Sequence, residues 1–148
     1  HGLMRVALYS SVARSVLNPI REKNLSRSLV GTIEEVRQLR HELFTQEEPE
    51  YPELWLSEDM YTTSACRDLL FHAREHQFTL PQIATVLDEL GLALIGFESP
   101  GPDARRHFDA TPAGLTEFER WEQVEQAEPQ TFQGMYQFWV RRKESDEL

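Results

Sequence analysis

Three short apolar stretches in the hydrophobic pattern indicate β-strands. They lie at residues 4–10 within "LMRVALYS", at 92–98 in "LALIGFE" and at 134–142 in "GMYQFWVRR". Short, nearly continuous apolar runs are typical of buried strands. In the last run, alternation places Tyr136 and Phe138 on one face and Trp139 on the other. We therefore expect both faces of that strand to be covered.

Between the strands the apolar positions recur at helical spacing. Three helices are expected to begin with a capping box, in which a threonine and a Glu or Gln three residues later satisfy each other's backbone N–H. A further helix is expected from about Thr62 to His76, and an earlier one should break near Asn18, because Pro19 follows. The capping-box pairs are Thr32–Glu35, Thr79–Gln82 and Thr116–Glu119.

This order of elements predicts an α/β fold within a single domain of residues 1–148. Some eighty residues of mainly helical chain separate the first two strands. We therefore expect a layered α/β arrangement and not a helix bundle. The first strand begins abruptly, so we also expect the chain to be part of a longer polypeptide.

Composition narrows the class of protein. Of the 148 residues, 40% are apolar, which indicates a globular chain. The formal net charge is −10, which argues against the clustered basic face that nucleic-acid binding needs. The loose basic group of Arg14, Arg21, Lys23 and Arg27 contains Glu22 and indicates a solvated helix face.

A single cysteine, Cys66, excludes an intramolecular disulfide. No apolar run approaches the length of a membrane span and no secretory leader is present, so we expect a cytoplasmic protein with no membrane partner. The final Ser-Asp-Glu-Leu is similar to an endoplasmic-reticulum retention signal, but without a leader we interpret the match as chance.

Four segments together resemble the C-terminal part of a bacterial family of class I S-adenosylmethionine-dependent methyltransferases, which often carry tetratricopeptide repeats. The resemblance runs from Gly2 to about Lys143. The segments are "LMRVALYS", "YTTSACRDLLFHAREHQFTLPQI", "LGLALIGFE" and "FERWEQVEQAEPQTFQGMYQFWV".

The resemblance implies a topology. The three strands would be the fifth, sixth and seventh of the methyltransferase sheet. They would form a three-stranded mixed sheet in the spatial order 5-7-6, with the last strand central and antiparallel. Residues 11–90 would be a large helical insertion between the first two strands, on the substrate side.

The same resemblance implies that half of the enzyme is missing. The S-adenosylmethionine site of that fold needs a glycine-rich loop after the first strand, and this chain contains no Gly-x-Gly. We expect a fragment that neither binds S-adenosylmethionine nor catalyses alone. Its partner would be the missing N-terminal half of the parent, which would hold that cofactor.

Two histidines, His72 and His76, raise the possibility of a metal site, because side chains four residues apart on a helix project to one side. A catalytic zinc needs a third protein ligand, for which His41 and His107 are candidates. On ligand count we expect no metal centre.

Several polar residues are substrate-pocket candidates by the same resemblance, and a histidine among them could act as a general base. The alternative interpretation is a structural role, such as a charge pair at the start of a helix for Arg67 and Asp68. The catalytic residues stay unassigned. The pocket candidates are Tyr9, Ser10, Tyr61, Arg67, His72 and His76.

Two further expectations concern Cys66 and the first strand. Cys66 has no catalytic partner pattern around it, so we interpret it as a small buried hydrophobic residue. Half a sheet exposes the outer edge of its first strand. The alternative function is therefore a non-catalytic interaction module, and we expect a homodimer joined through strand edges or swapped helices.

Overall fold

The computed structural model describes residues 2–48, 50–72, 75–98, 100–101, 103–132 and 134–143. The chain forms two compact units. We call them the sheet unit, His1–Ser15 with His76–Leu148, and the helical unit, Val16–Glu75.

The described residues contain six α-helices and four β-strands. Short 3₁₀ helices cover Ala13–Leu17, Pro52–Leu56 and Glu58–Met60. In chain order the main elements are β1 (Leu3–Ser10), α1 (Asn18–Ser26), α2 (Ile33–Phe44), α3 (Thr63–Phe71), β2 (Gln77–Phe78), α4 (Leu80–Glu89), β3 (Leu92–Phe97), α5 (Ala104–Ala110), α6 (Glu117–Ala127) and β4 (Met135–Arg142).

The four strands form one mixed sheet in the order β2-β1-β4-β3. Strand β4 is antiparallel to β1 and to β3, with Phe138 opposite Val6 on one side and Phe97 on the other. The α/β class and the central, antiparallel last strand agree with expectation. The expected count of three strands is wrong, because β2 runs parallel to β1 through only two residues. Two residues are too few to show any periodicity.

The sheet unit has one apolar core, to which α4, α5 and α6 all contribute side chains. The partly buried Phe97 packs against this core, with its ring centroid 5.0 Å from that of Phe132 and 5.5 Å from that of Phe138. Within the expected insertion at 11–90, α4 packs against this sheet, whereas the helical unit covers Val16–Glu75.

Strand β1 is not the buried strand that its apolar run predicted. Val6 and Leu8 pack against the core, but Leu3 and Met4 are 65% and 49% exposed. Side chains of this apolar run point alternately to the two faces of the sheet. The helices of the sheet unit pack against only one of these faces. Strand β4 alternates between buried and half-buried residues, with Trp139 half-buried on the second face.

The helical unit encloses a second core between α1, α2 and α3. A 3₁₀ helix at Ala13–Leu17 leads directly into α1, which begins at Asn18 with Pro19 in its first turn. At the expected break or kink near Asn18 the chain thus changes from a 3₁₀ helix to an α-helix. The buried Asn24 side chain donates through Nδ2 to the Leu70 carbonyl at 3.3 Å and so joins α1 to α3.

All three capping boxes are confirmed, each with both of its hydrogen bonds. The helix expected to reach His76 instead ends at Phe71. Thr62 caps its start, accepting from the Ala65 N–H at 3.1 Å. None of the helices in the described residues has the length and apolar character that crossing a membrane requires.

Two glycines with positive φ offer a matched test of the packing in the helical unit. At Gly31 (φ +79°) an added Cβ would lie 3.0 Å from Cγ of Phe71, whereas at Gly91 (φ +62°) it would meet nothing within 4 Å. Gly91→Ala should therefore lower the free energy of unfolding only through the strain of its left-handed backbone, by about 1 kcal/mol. Gly31→Ala adds a clash with the end of α3 and should cost about 2 kcal/mol. Urea denaturation of both variants measures the difference, and equal losses would contradict the clash.

Candidate functional site

A buried carboxyl group lies at the carboxyl end of β1. Glu125 is on α6, on the same helix face as Trp121, and is only 2% exposed. Its Oε1 accepts from the Ser10 hydroxyl at 2.6 Å, and its Oε2 accepts from the Tyr136 hydroxyl at 2.7 Å. Ser10 and Tyr136 are themselves fully buried. We call these three residues the hydroxyl–carboxyl cluster.

Each member of the cluster is positioned by a different element. Ser10 is the last residue of β1, and its Oγ also accepts from the Ala13 N–H at 3.0 Å, which holds the turn that leaves the sheet. Tyr136 is the second residue of β4 and points to the helix-covered face. The capping box at Thr116 fixes where α6 begins and thereby which of its residues face the sheet.

The electrostatics of the cluster follow from its burial. Loss of water raises the pKa of the Glu125 carboxyl, and the hydrogen bonds from Ser10 and Tyr136 counteract part of that rise. Burial also raises the pKa of the Tyr136 phenol, and the hydrogen bond to Glu125 raises it further. The cluster can hold a proton at a pH at which exposed carboxyls have lost theirs. All three side chains are buried, so the hydroxyl–carboxyl cluster supports the end of β1 from inside the sheet unit and does not touch solvent.

Tyr9 lies on the opposite face of β1 from Ser10. The guanidinium of Arg14 stands 4.2 Å above the Tyr9 ring centroid, a cation–π geometry. Gly134 has φ +90°, a left-handed conformation that favours glycine, and it lies beside the Arg14 side chain, where an added Cβ would be in ordinary contact 3.7 Å from Nε. Gln130 donates to the Ala13 carbonyl at 3.2 Å and closes the same end of the sheet.

A second polar group occupies the face of the sheet opposite the core. Arg5 on β1 donates to Oε2 of Glu98 at 2.9 and 2.7 Å, and the indole N–H of Trp139 donates to the other oxygen of Glu98. The hydrogen bond from Arg5, followed by that from Trp139, lowers the pKa of the Glu98 carboxyl. This face thus carries an ion pair, whereas the other face packs against the apolar core.

The six pocket candidates fall into both units. Tyr9, Ser10 and His76 belong to the sheet unit. Tyr9 and Ser10 are neighbours at the end of β1, and His76 directly precedes Gln77, which pairs with Tyr9. The other three, Tyr61, Arg67 and His72, belong to the helical unit and are exposed.

The helical pairing expected for His72 and His76 is wrong. His72 follows the last residue of α3, with ψ of 108°, so the chain leaves the helix before His76. The two residues belong to different units, and residues 73 and 74 between them lie outside the described part of the chain. Within the described residues, no group of three or more His, Cys, Asp or Glu side chains could hold a metal ion.

The expectation for Cys66 is confirmed. Its side chain is fully buried in the core of the helical unit, and burial raises the pKa of its thiol, which keeps the thiolate scarce at neutral pH.

A surface pocket of about 330 Å³ lies elsewhere in the helical unit, and none of the candidates lines it. Leu29 and Leu39 contribute apolar walls, and Arg27, Glu34, Glu35 and Gln38 supply polar groups. Three of these are already engaged: Arg27 pairs with Glu42, Gln38 donates to Glu42 at 3.0 Å, and the Glu35 carboxylate accepts from the backbone N–H of Thr32.

Sequence reasoning missed Glu125, and it assigned Tyr136 to the core only. A signal for Glu125 was present, since an acidic residue four positions after Trp121 falls on the apolar face of the helix. No protein-family model matches this chain, and no curated protein matches it significantly.

Proposed function

We propose that this chain is the substrate-side, C-terminal part of a class I S-adenosylmethionine-dependent methyltransferase. The observation that carries the proposal is the strand arrangement, in which the last strand, β4, is antiparallel and lies between β1 and β3. A long, mainly helical connection leads from β1 to β3. Both features are those that the sequence resemblance implies for strands five, seven and six.

The position of the polar residues also supports the proposal. In α/β sheets, ligands bind outside the carboxyl ends of the strands. Tyr9, Ser10 and Arg14 are at that end of β1, and the hydroxyl–carboxyl cluster holds the turn beneath them. In this role Tyr9 and Arg14 would contact and orient the methyl acceptor, and positioning would supply most of the rate enhancement. Tyr61, Arg67, His72 and His76 remain proposed pocket residues.

The residues of this chain do not fit the cofactor itself. The described residues that follow β1, β2, β3 and β4 contain no Gly-x-Gly loop. S-adenosylmethionine would be held by the missing N-terminal half, which is the proposed partner. The chain alone is not expected to bind S-adenosylmethionine or to methylate a substrate. Its free, buried Cys66 suits the reducing conditions of the cytoplasm, where we place it.

Ultraviolet cross-linking to labelled S-adenosylmethionine tests this proposal. The natural polypeptide that contains these residues would be captured with an antibody raised against residues 1–148 and irradiated with the label. We expect the natural polypeptide to be labelled and the isolated 148-residue chain to remain unlabelled. A natural polypeptide that is not labelled, or an isolated chain that is, would contradict the proposal.

The second candidate function is a non-catalytic interaction module. The observation that favours it is the exposed start of β1, where Leu3 and Met4 are 65% and 49% exposed on a strand with an open outer edge. Exposed strand edges pair readily with other strands. The oligomeric state of the isolated chain tests this candidate.

A further inference from the structure

The outer edge of β1 is open over most of its length. On one side, β4 pairs with β1 from Leu3 to Tyr9. On the other side, β2 pairs only with Tyr9 and Ser10, and within the described residues no other strand pairs with Leu3–Leu8. An edge six residues long is therefore available to a further strand.

The backbone hydrogen bonds identify which groups face that edge. The Ser10 N–H donates toward β4, to the Gly134 carbonyl at 3.1 Å, whereas the Ser11 N–H donates toward β2, to the Phe78 carbonyl at 2.9 Å. In an antiparallel pair, successive residues point their N–H and C=O groups to opposite sides. Even-numbered residues of β1 thus face β4, and Leu3, Arg5 and Ala7 present their backbone groups to the open edge.

We propose that a second copy of this chain pairs with this edge, antiparallel, across a two-fold axis at Arg5. This inference rests on the interaction module proposed above. It competes with the methyltransferase proposal, in which the missing N-terminal half would cover the same edge. With the axis at Arg5, Leu3 lies opposite Ala7 of the other copy, and all three outward-facing residues exchange backbone hydrogen bonds, six in total. The resulting sheet would run continuously through both copies.

The alternative symmetric register places the axis at Val6. It pairs Arg5 with Ala7 of the other copy and leaves Leu3 opposite Tyr9, whose outward side already faces β2. That register forms two fewer hydrogen bonds, so the axis at Arg5 is favoured.

We call the proposed pairing of the two β1 strands the seam. The side chains are compatible with it. The pairing brings the exposed Leu3 beside Ala7 and the exposed Met4 beside Val6 of the other copy, which removes apolar surface from water. Two Arg5 side chains meet at the axis. Each is already paired with its own Glu98 at 2.7 Å, and this compensates the like charge.

Disulfide trapping tests the register. Antiparallel residues that exchange hydrogen bonds have Cα atoms about 5.5 Å apart, which is within the range of a disulfide. Arg5→Cys should therefore form a disulfide-linked dimer under mild oxidation, at least about tenfold more than Ala7→Cys, whose two copies lie on opposite sides of the axis. Cys66 is buried, so the unaltered chain serves as the blank.

Ala7→Pro tests the edge. Proline removes a backbone donor that faces the open edge, and edge strands tolerate it. Because the seam is smaller than a standard interface of about 1,600 Å², we expect micromolar or weaker association of the unaltered chain in light-scattering chromatography. Ala7→Pro should remain folded by circular dichroism and elute as a monomer.

Three results would overturn the proposal. They are a monomer at every soluble concentration, equal trapping of Arg5→Cys and Ala7→Cys, or a folded Ala7→Pro variant that still dimerises. If Ala7→Pro does not fold, the comparison of Arg5→Cys with Ala7→Cys still tests the proposal. None of these results bears on labelling by S-adenosylmethionine, so failure of the seam and failure of the methyltransferase proposal are distinguishable.

Discussion

Replacing Glu125 with alanine is expected to destabilise the sheet unit by about 3–5 kcal/mol, since each buried hydroxyl left without a partner costs about 1–3 kcal/mol. The Ser10 and Tyr136 hydroxyls both donate to Glu125, at 2.6 and 2.7 Å, and both residues are fully buried. Urea denaturation measures the loss. Gln126→Ala, an exposed position on the same helix, is the matched control and should stay within about 0.5 kcal/mol of the unaltered chain.

The variant Glu125→Gln separates charge from packing through pH. Burial raises the pKa of the folded Glu125 carboxyl above its ordinary value of 4.5. The folded state thus keeps a proton that the unfolded state releases. The stability contributed by the protonated form is present below the unfolded pKa and is lost as pH rises through the folded pKa.

Glu125→Gln cannot lose this proton, so its stability relative to the unaltered chain should rise with pH over that window. Carboxyls with lowered pKa values, such as Glu42, Glu98 and Glu119, change stability in the opposite direction. These carboxyls are present in both proteins, so their contributions cancel in the difference between the two unfolding free energies. A difference in unfolding free energy that does not change with pH would show that Glu125 titrates normally.

Replacing Arg21 with methionine is expected to destabilise the helical unit by about 3 kcal/mol, because hydrogen bonds to charged groups are worth about 1.5–3 kcal/mol when buried. The guanidinium donates to the Leu69 carbonyl at 2.7 Å and to the Glu75 carboxylate at 2.9 Å. The side chains of the ion pair are only 15% and 4% exposed. Arg21 thus joins α1 to the end of α3.

Arg27→Met is the matched control for Arg21→Met. Arg27 also pairs with a glutamate, Glu42, at 3.0 Å, but these side chains are 39% and 38% exposed. Exposed ion pairs contribute about 0–1 kcal/mol and weaken with added salt. Denaturation at low and high salt should therefore show a large, salt-insensitive loss for Arg21→Met and a small loss for Arg27→Met. Similar losses for the two variants would mean that burial does not strengthen the Arg21 pair.

The sequence by itself determined the features that depend on neighbouring residues. A capping box joins residues three apart, so Thr32, Thr79 and Thr116 could be recognised without any knowledge of the fold. The break near Pro19 has the same origin, because proline restricts its own backbone and that of the preceding residue. Short, nearly continuous apolar runs located β1, β3 and β4.

The end of α3 and the existence of β2 could not be predicted in this way. The pattern from Thr62 to His76 is compatible with a longer helix, yet α3 ends at Phe71, whose ring lies against Gly31. Strand β2 exists because two residues come beside the end of β1. In both places contacts distant in sequence, which carry no local signal, decide the conformation.

Only the tertiary structure decided the candidate site. Ser10 and Glu125 are separated by 115 positions, and Arg5 and Glu98 by 93. Each side chain alone is an ordinary polar residue on a strand, a helix or a turn. The sheet order brings them together, and burial then changes their chemistry, because a carboxyl removed from water holds its proton more tightly. The sequence specified where the helices and long strands begin, and the packing of the sheet specified which polar groups meet.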